Sequence, residues 1–418
     1  MIPFPAVGQN VLREVDEKED APVEPRWLAL PYAFHTESLS WAIGAGIGGS
    51  GYFQDQLDLI ATGFGTTNGS WAGFVAFTDY RSIFSKRLFI DGKGMVGHYT
   101  HQRIYADVSY TSPDDRAGSN SSDAEDFLDG KGWDNWFDIN FKYVLPIGAA
   151  RENPVNTFWL DRGLVSRGAT GGDTWNPRTS GRTFVEAMTF FRWRSLKDEE
   201  QDLQGDTNGL KISLTYDNTD FDKNPSRGSM VSAAATRDFG LFGSSKSWTS
   251  LEAEFSKFFS LGAGKRFRQK VVALNAWTSY SPTWDVVPTE GGFTTEHGPP
   301  GYLGASLGSF DRLRGFPLYR FNDKAAVFYC AELRLIPDWN PLGDWKLLRI
   351  FEIDWWQFVP FVEVGRVAPK WDIAELHEDL KWDVGFGVRL MVMKSIVRLD
   401  TAVSEETWGV SAMVGQPF

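Results

Sequence analysis

The twelve residues TWGVSAMVGQPF, Thr407 to Phe418, decide how the rest of the chain is read. Trp408, Val410, Ala412, Val414 and Phe418 are apolar, while the residues between them are mostly small or polar. Alternation at period two marks a strand with one apolar face. The split recurs in FDINFKYVL, where Phe137, Ile139, Phe141, Tyr143 and Leu145 alternate with Asp138, Asn140 and Lys142. In DVGFGVRLMV, Val384, Phe386, Val388, Leu390 and Val392 oppose Asp383, Gly385, Gly387 and Arg389. IVRLDTAV sets Val397, Leu399 and Val403 against Arg398 and Asp400, and KISLTYD sets Ile212, Leu214 and Tyr216 against Lys211, Ser213, Thr215 and Asp217.

A soluble β-sandwich alternates too, but it does not repeat ten-residue dyadic segments with charges such as Asp400 or Arg389 in the middle of the polar face. Long dyadic segments separated by turns are the mark of an outer-membrane barrel, apolar outward and polar inward. At about 25 residues for each strand and its connection, 418 residues allow about 16 strands. The expected fold class is all-β: a transmembrane antiparallel β-barrel. Composition agrees, with 15% aromatic residues, 18 Trp, 32 Phe and 42 Gly suiting strands and turns. TTNGS at 66–70 reads as a hairpin turn. The acidic stretches 112–132 and 195–209 read as exposed loops. Trp133, Trp136, Trp355 and Trp356 are expected in interfacial girdles or, equally, on a partner surface.

Several functions are excluded or left without support. A net charge of −12 gives no counterion-release drive for nucleic acid. Cys330 is the only cysteine, so there is no intrachain disulfide and no multi-cysteine metal site. GAGIGG at 44–49 matches G-x-G-x-x-G, but no βαβ pattern surrounds it. His98 and His101, three apart on a strand, face opposite ways. No Ser, His or Asp setting suggests a nucleophile; His297 is the one histidine worth testing. We expect no catalytic residues, cofactor or metal.

The opening MIPFPAVGQNVLREV lacks a basic region and a long apolar run, so it does not read as a signal peptide. Residues 1–37 are expected to form a short charged periplasmic lead-in, and 38–418 the barrel, whose first strand is SLSWAIGAGIGGSGY. Glycine inside a strand weakens pairing, so a seam between segments 38–48 and 407–418 should be the weak point of the wall.

One long stretch, GSFDRLRGFPLYRF at 308–321, follows neither strand nor helix period. Its Leu313-Arg314-Gly315-Phe316 resembles the signature of the BamA/TamA outer-membrane assembly superfamily, the bacterial surface antigen barrels. Asp217, Asp220, Pro225 and Gly228 in YDNTDFDKNPSRG are similar to that family's D-x-x-D…P-x-x-G segment. AELRLIP, FVEVGRV and the VGFGVRL strand follow in the family's order, and the resemblance is specific over about 210–418. It implies a loop folded back into the lumen, with Arg314 meeting acidic side chains of the wall. Glu332 is out of phase with Val327, Tyr329, Ala331, Leu333 and Leu335, and Glu363 with Val362 and Val364, so both carboxylates should point inward. Phe418, with the series Trp408, Val410, Ala412 and Val414, resembles the C-terminal signal by which such barrels reach the assembly machinery.

The function implied by the resemblance is non-catalytic: insertion or translocation of polypeptides, or lipids, at the bacterial outer membrane through the weak seam. Members of the family carry periplasmic polypeptide-transport domains for which residues 1–37 leave no room, so a separate periplasmic or lipoprotein partner, beside outer-membrane lipid, is expected. The alternative is a plugged channel or structural barrel serving as a partner-binding scaffold.

Overall fold

The computed structural model describes residues 11–16, 25–36, 39–106, 110–112, 116–198, 201–344 and 351–418. Sixteen antiparallel strands close into a barrel. In chain order they are β1 (Arg26–Thr36), β2 (Ser40–Ser50), β3 (Asp58–Thr66), β4 (Trp71–Arg81), β5 (Leu88–Tyr99), β6 (Lys131–Val144), β7 (Arg182–Asp198) and β8 (Thr207–Asp217). The second half comprises β9 (Gly228–Phe239), β10 (Ser247–Ser260), β11 (Phe267–Tyr280), β12 (Ala325–Pro337), β13 (Ile353–Ala368), β14 (Lys381–Val392), β15 (Ser395–Ser404) and β16 (Trp408–Val414). The end bearing the C-terminus and the start of β1 is the periplasmic end of a barrel of this kind; long loops such as 281–324 lie at the other.

The period-two reading of β6, β8, β14, β15 and β16 holds. Ile212, Leu214, Phe386, Leu399 and Val403 are exposed on the outer wall, whereas Arg389, Arg398, Asp400 and Glu332 are buried inside. Trp133, which meets Trp71 edge to face, and Trp356, which packs on Trp339, face outward as a girdle requires. The girdle reading fails for Trp136 and Trp355, which have the opposite phase. Trp136 packs inside against Phe74, and Trp355 Nε1 donates to Gly163 O at 3.0 Å at the periplasmic mouth. Indole at a strand end is not enough to place it; the phase decides.

The barrel starts twelve residues before the expected boundary at 38, with Arg26–Thr36 as its first strand. RWLALPYAFHT has apolar residues on both faces and a central proline, so no dyad is visible. Proline cannot donate to a ladder and is tolerated in edge strands. That is the situation here, because β1 pairs along its length with β2 but with β16 only at His35 opposite Val410. The seam is therefore made by β1 and β16, not by the glycine-rich segment.

That segment is β2, and its glycines have a different use. Gly44, Gly46 and Gly48 share the phase of buried Ala42, opposite to exposed Ile43 and Ile47, and leave the inner face of β2 bare. Tyr32 of β1 lies across this floor, its hydroxyl hydrogen-bonded to Thr62 Oγ1 of β3 at 2.7 Å. A Cβ on Gly44 would stand 2.5 Å from the Tyr32 ring and 2.6 Å from Gly63 O. An aromatic ring covering strand glycines is a known way of fixing strand register.

The wall is uneven in height. β3, β15 and β16 have 9, 10 and 7 residues, while β6, β7, β10 and β11 have 14, 17, 14 and 14. At about 3.3 Å of rise per residue, the wall is lowest at β16, on one side of the seam, while β1 on the other side has 11 residues.

The lead-in is more than a tether. Leu12–Asp16 pairs in parallel with Asn156–Asp161, which turns back into Leu164–Arg167. This three-stranded sheet lies across the periplasmic mouth. Leu12, Phe158 and Leu160 pack on Phe221, Ile336, Trp355, Met391 and Ile396, while Val11 packs with Phe89, Val144 and Phe184.

Gly44→Val should force β3 or the Tyr32 ring aside and cost about 1–3 kcal/mol by overpacking. Gly48→Ala, whose added Cβ meets only Leu59 O at 3.7 Å, should leave stability unchanged. Urea unfolding followed by heat-modifiable mobility checks both.

Candidate functional site: the lumen loop and the barrel seam

The loop between β11 and β12 enters the barrel. Arg314 is 7% exposed, and Leu313 and Phe316 are buried beside it. The guanidinium is shared among three wall strands. Nε donates to Glu363 Oε1 at 3.0 Å, Nη1 to Asp400 Oδ2 at 2.9 Å and Nη2 to Glu332 Oε1 at 3.2 Å. The Arg314 backbone N–H adds a bond to Glu363 Oε2 at 2.8 Å, and the guanidinium lies 3.5 Å above the centre of the Phe361 ring. Charge-assisted bonds in a fixed planar fork, stacked on an aromatic face, are what arginine can make and lysine cannot.

Gly315 allows the approach. Its N–H donates to Asp383 Oδ2 at 2.9 Å and its carbonyl accepts from Ser404 Oγ at 2.7 Å. A Cβ there would stand 2.7 Å from Asp383 Cβ and 3.0 Å from the Val403 carbonyl carbon. Phe316 packs edge to face on Phe321, its ring centroid 5.2 Å away.

The loop's other arginines have their own anchors. Arg312 pairs with Glu254 of β10 at 3.3 Å, and Arg320 with Glu406 at 2.8 Å. Arg320 Nη1 also donates to Ser122 Oγ at 2.8 Å, tying the lumen loop to the loop after β5. Asn322 N–H reaches Gly118 O at 2.7 Å in the same region.

Glu332 and Glu363 thus come together at Arg314. Asp400, Asp383 and Arg398, which pairs with Asp311 of the loop, belong to the same cluster but were not tied to the loop by sequence. Their inward phase was legible; their distance from Arg314 along the chain hid the contact. Arg334 and Arg389 also bind Glu332, at 2.8 and 2.6 Å.

The D-x-x-D…P-x-x-G segment forms a separate structure, the periplasmic turn between β8 and β9. Asp217 accepts from Thr219 N at 2.9 Å, and Asp220 accepts from Ser226 N at 2.8 Å. Fully buried Arg182 pairs with Asp217 at 3.2 Å and Asp222 at 3.1 Å. Pro225 lies inside this turn, and Gly228 ends it at φ +100°, where a Cβ would meet Asn218 O at 2.1 Å. These residues shape a turn and do not touch the loop arginine.

The end of the chain departs from the expected outward series. Trp408, Val410, Ala412 and Val414 have the outer phase, but Gly415, at φ +93°, turns the tail inward. Phe418 stacks on Phe258 of β10 and lies under the Arg334 guanidinium. Arg334 Nη2 donates to Phe418 O at 3.3 Å, and Arg389 donates to Gln416 Oε1. The tail therefore rests on two of the arginines that hold Glu332.

Beside it, a cavity of about 670 Å³ borders the seam. Trp27 and Leu28 of β1, and Met413 and Val414 of β16, all line it. At the outer-loop end the seam is closed by the His35 ring stacked on Trp408 at 5.6 Å.

Comparison with known proteins gives the chain a family. The Omp85 superfamily domain matches residues 98–326, more than half of the 418 and inclusive of both motifs. No curated protein sequence matches the chain. Among solved structures, CdiB from Escherichia coli aligns with TM-score 0.53 and 10% identity, covering 94% of this chain and 64% of that one. BamA from Haemophilus ducreyi lacking POTRA domains 1–3 aligns with TM-score 0.47 and 12% identity, covering 94% and 71%. CdiB from Acinetobacter baumannii gives 0.48 and 9%, covering 94% and 60%. The likeness to the Escherichia coli protein is one of fold, and this chain spans under two thirds of its length. With more than half its residues matched and a closed barrel around an inserted loop, the chain belongs to the Omp85 superfamily.

Proposed function

We propose that this barrel inserts or translocates polypeptides at the outer membrane by parting β1 from β16. The observation that carries the reading is the closing ladder, registered at a single residue pair while β1 and β2 are paired over eleven. A wall usually held by a continuous ladder has one joint that opens at small cost. The short strands β15 and β16 on one side of it support it, because a thinner apolar band lowers the barrier to insertion of polar backbone. The cavity that borders the seam would receive the client.

In this reading the arginine loop is a brace. It links β12, β13 and β15 through one guanidinium and so stiffens the wall that ends in β16. A separate periplasmic or lipoprotein partner would bring clients to the seam. The family signal at the C-terminus would act before folding, since Phe418 is packed inside afterwards.

Locking the joint tests the proposal. A His35→Cys, Val410→Cys pair, oxidised across the seam, should leave the barrel folded and abolish its contribution to outer-membrane protein levels in depleted cells; reduction should restore it. Unchanged client levels with the seam locked would contradict the proposal, and steady, large conductance steps in a planar bilayer would favour a channel instead.

Arg314→Ala leaves three buried carboxylates without their shared cation and should cost about 3–5 kcal/mol. Arg314→Lys should recover only part of this, because an ammonium cannot span the three acids. The midpoint of heat-modifiable mobility reads the effect; a normal midpoint for Arg314→Ala would remove the brace.

A further inference from the structure

The periplasmic sheet has an unusual composition. Two of its strands, Asn156–Asp161 and Leu164–Arg167, form a hairpin in the β6–β7 connection. The third, Leu12–Asp16, comes from far away in sequence and adds on the hairpin's edge in parallel. Removing it would break no other ladder. It has five residues, and parallel pairing is the weaker kind per residue.

What holds it is specific. Val11 fills a pocket made by Phe89, Val144, Ala150 and Phe184. Leu12 and Glu14 share one face of the strand, and Leu12 packs on Phe158 and Leu160. Glu14, 8% exposed, pairs with Lys223 of the β8–β9 turn at 3.2 Å. Burial pushes the Glu14 carboxyl above its ordinary range against the pull of Lys223, so this ion pair selects an acid more than it adds stability. Val15, on the other face, is buried as well.

The strand is also connected to the seam. Residues 17–25 are all that separates Asp16 from Arg26, the first residue of β1. Whatever holds Leu12–Asp16 across the mouth therefore restrains the entry to the one strand whose outer ladder is nearly absent.

We infer that the Asn156–Arg167 hairpin is a strand-docking platform on which Leu12–Asp16 is an exchangeable resident, and that its other occupant is an extended polypeptide segment. The segment would bind parallel to Asn156–Asp161, with apolar residues in place of Val11, Leu12 and Val15 and an acid in place of Glu14 facing Lys223. Main-chain hydrogen bonds supply affinity in such strand addition, and pockets for side chains supply selectivity. Its arrival displaces the resident strand, uncovers the mouth and frees β1. The identity of the occupant as a polypeptide rests on the function proposed above; the platform itself rests on the pairing and packing alone.

The test uses the full-length barrel in detergent and a photo-crosslinking peptide, NVLREVDE, the sequence of residues 10–17. The tethered strand has a local concentration in the millimolar range, so the peptide is offered to Leu12→Asp, Val15→Asp protein, in which the resident is weakened and the platform intact. Saturable labelling of 156–161 is expected. A peptide carrying Glu14→Lys should bind at least about tenfold more weakly, and Lys223→Glu should reverse that preference. Arg13→Cys, Thr157→Cys protein provides a second arm, since these residues are opposite each other. Oxidised, it should exclude the peptide; reduced, it should admit it at high concentration. Labelling equal in the locked and reduced forms, or indifferent to the charge exchange, overturns the inference. Failure of both arms while the seam disulfide still blocks activity would remove the platform and leave the seam proposal standing.

Discussion

An arginine surrounded by carboxylates inside a protein wall is the constraint on which this structure turns. Glu332, Glu363 and Asp400 project inward from β12, β13 and β15, and each is almost fully shielded from solvent. Carboxylates in such a place require a cation. The wall gives Glu332 the guanidinium groups of Arg334 and Arg389, and Asp400 that of Arg398, but Glu363 pairs with no wall cation among the described residues. Arg314 brings the missing charge from outside the sheet, so loop and wall each complete the other. The glycine beside it is needed because only a bare Cα lets the backbone come close enough to Asp383 and Val403. Glu332 connects this cluster to Arg334 and Arg389, and through them to the inward-turned tail. The loop at one end and the last residues at the other thus share one carboxylate.

The remaining architecture is organised around an asymmetry. On one side the strands are long and the ladders continuous; on the other they are short, β1 carries a proline and the closing ladder is reduced to His35 opposite Val410. Bare glycines in β2 let Tyr32 fasten β1 to the strands behind it, so β1 is held firmly on one edge and hardly at all on the other. A barrel normally removes sheet edges by closure. This one keeps a latent edge, braced by the loop and restrained by the strand across the periplasmic mouth.

Much of this was legible in sequence where the signal was local. Period two gave β6, β8 and β14–β16, and the phase of Glu332 and Glu363 predicted their inward direction before the partner was known. Arg389 and Asp400 were visible as inner-face charges too, but their assembly around Arg314 is a long-range fact with no local trace. β1 was lost because a strand beside a cavity is apolar on both faces, which erases the dyad. Trp136 and Trp355 were misplaced because residue type outweighed phase. Phe418 kept the outward phase in sequence, yet Gly415 redirects the backbone. The parallel pairing of Leu12–Asp16 with a segment about 140 residues away could not be read from either sequence alone.

The central claim is that the loop sits in the lumen with Arg314 on the carboxylates, and the chain's single cysteine reports on it. Cys330 Sγ lies 3.7 Å from Arg314 Nη2, buried beneath the loop. The rate at which a small water-soluble thiol reagent labels Cys330 in the folded barrel, in membranes, is the direct measurement. The account predicts no labelling over the time in which the unfolded chain is fully modified, and rapid labelling once Arg314→Ala loosens the loop. Labelling of the native folded barrel as fast as the unfolded chain would contradict it.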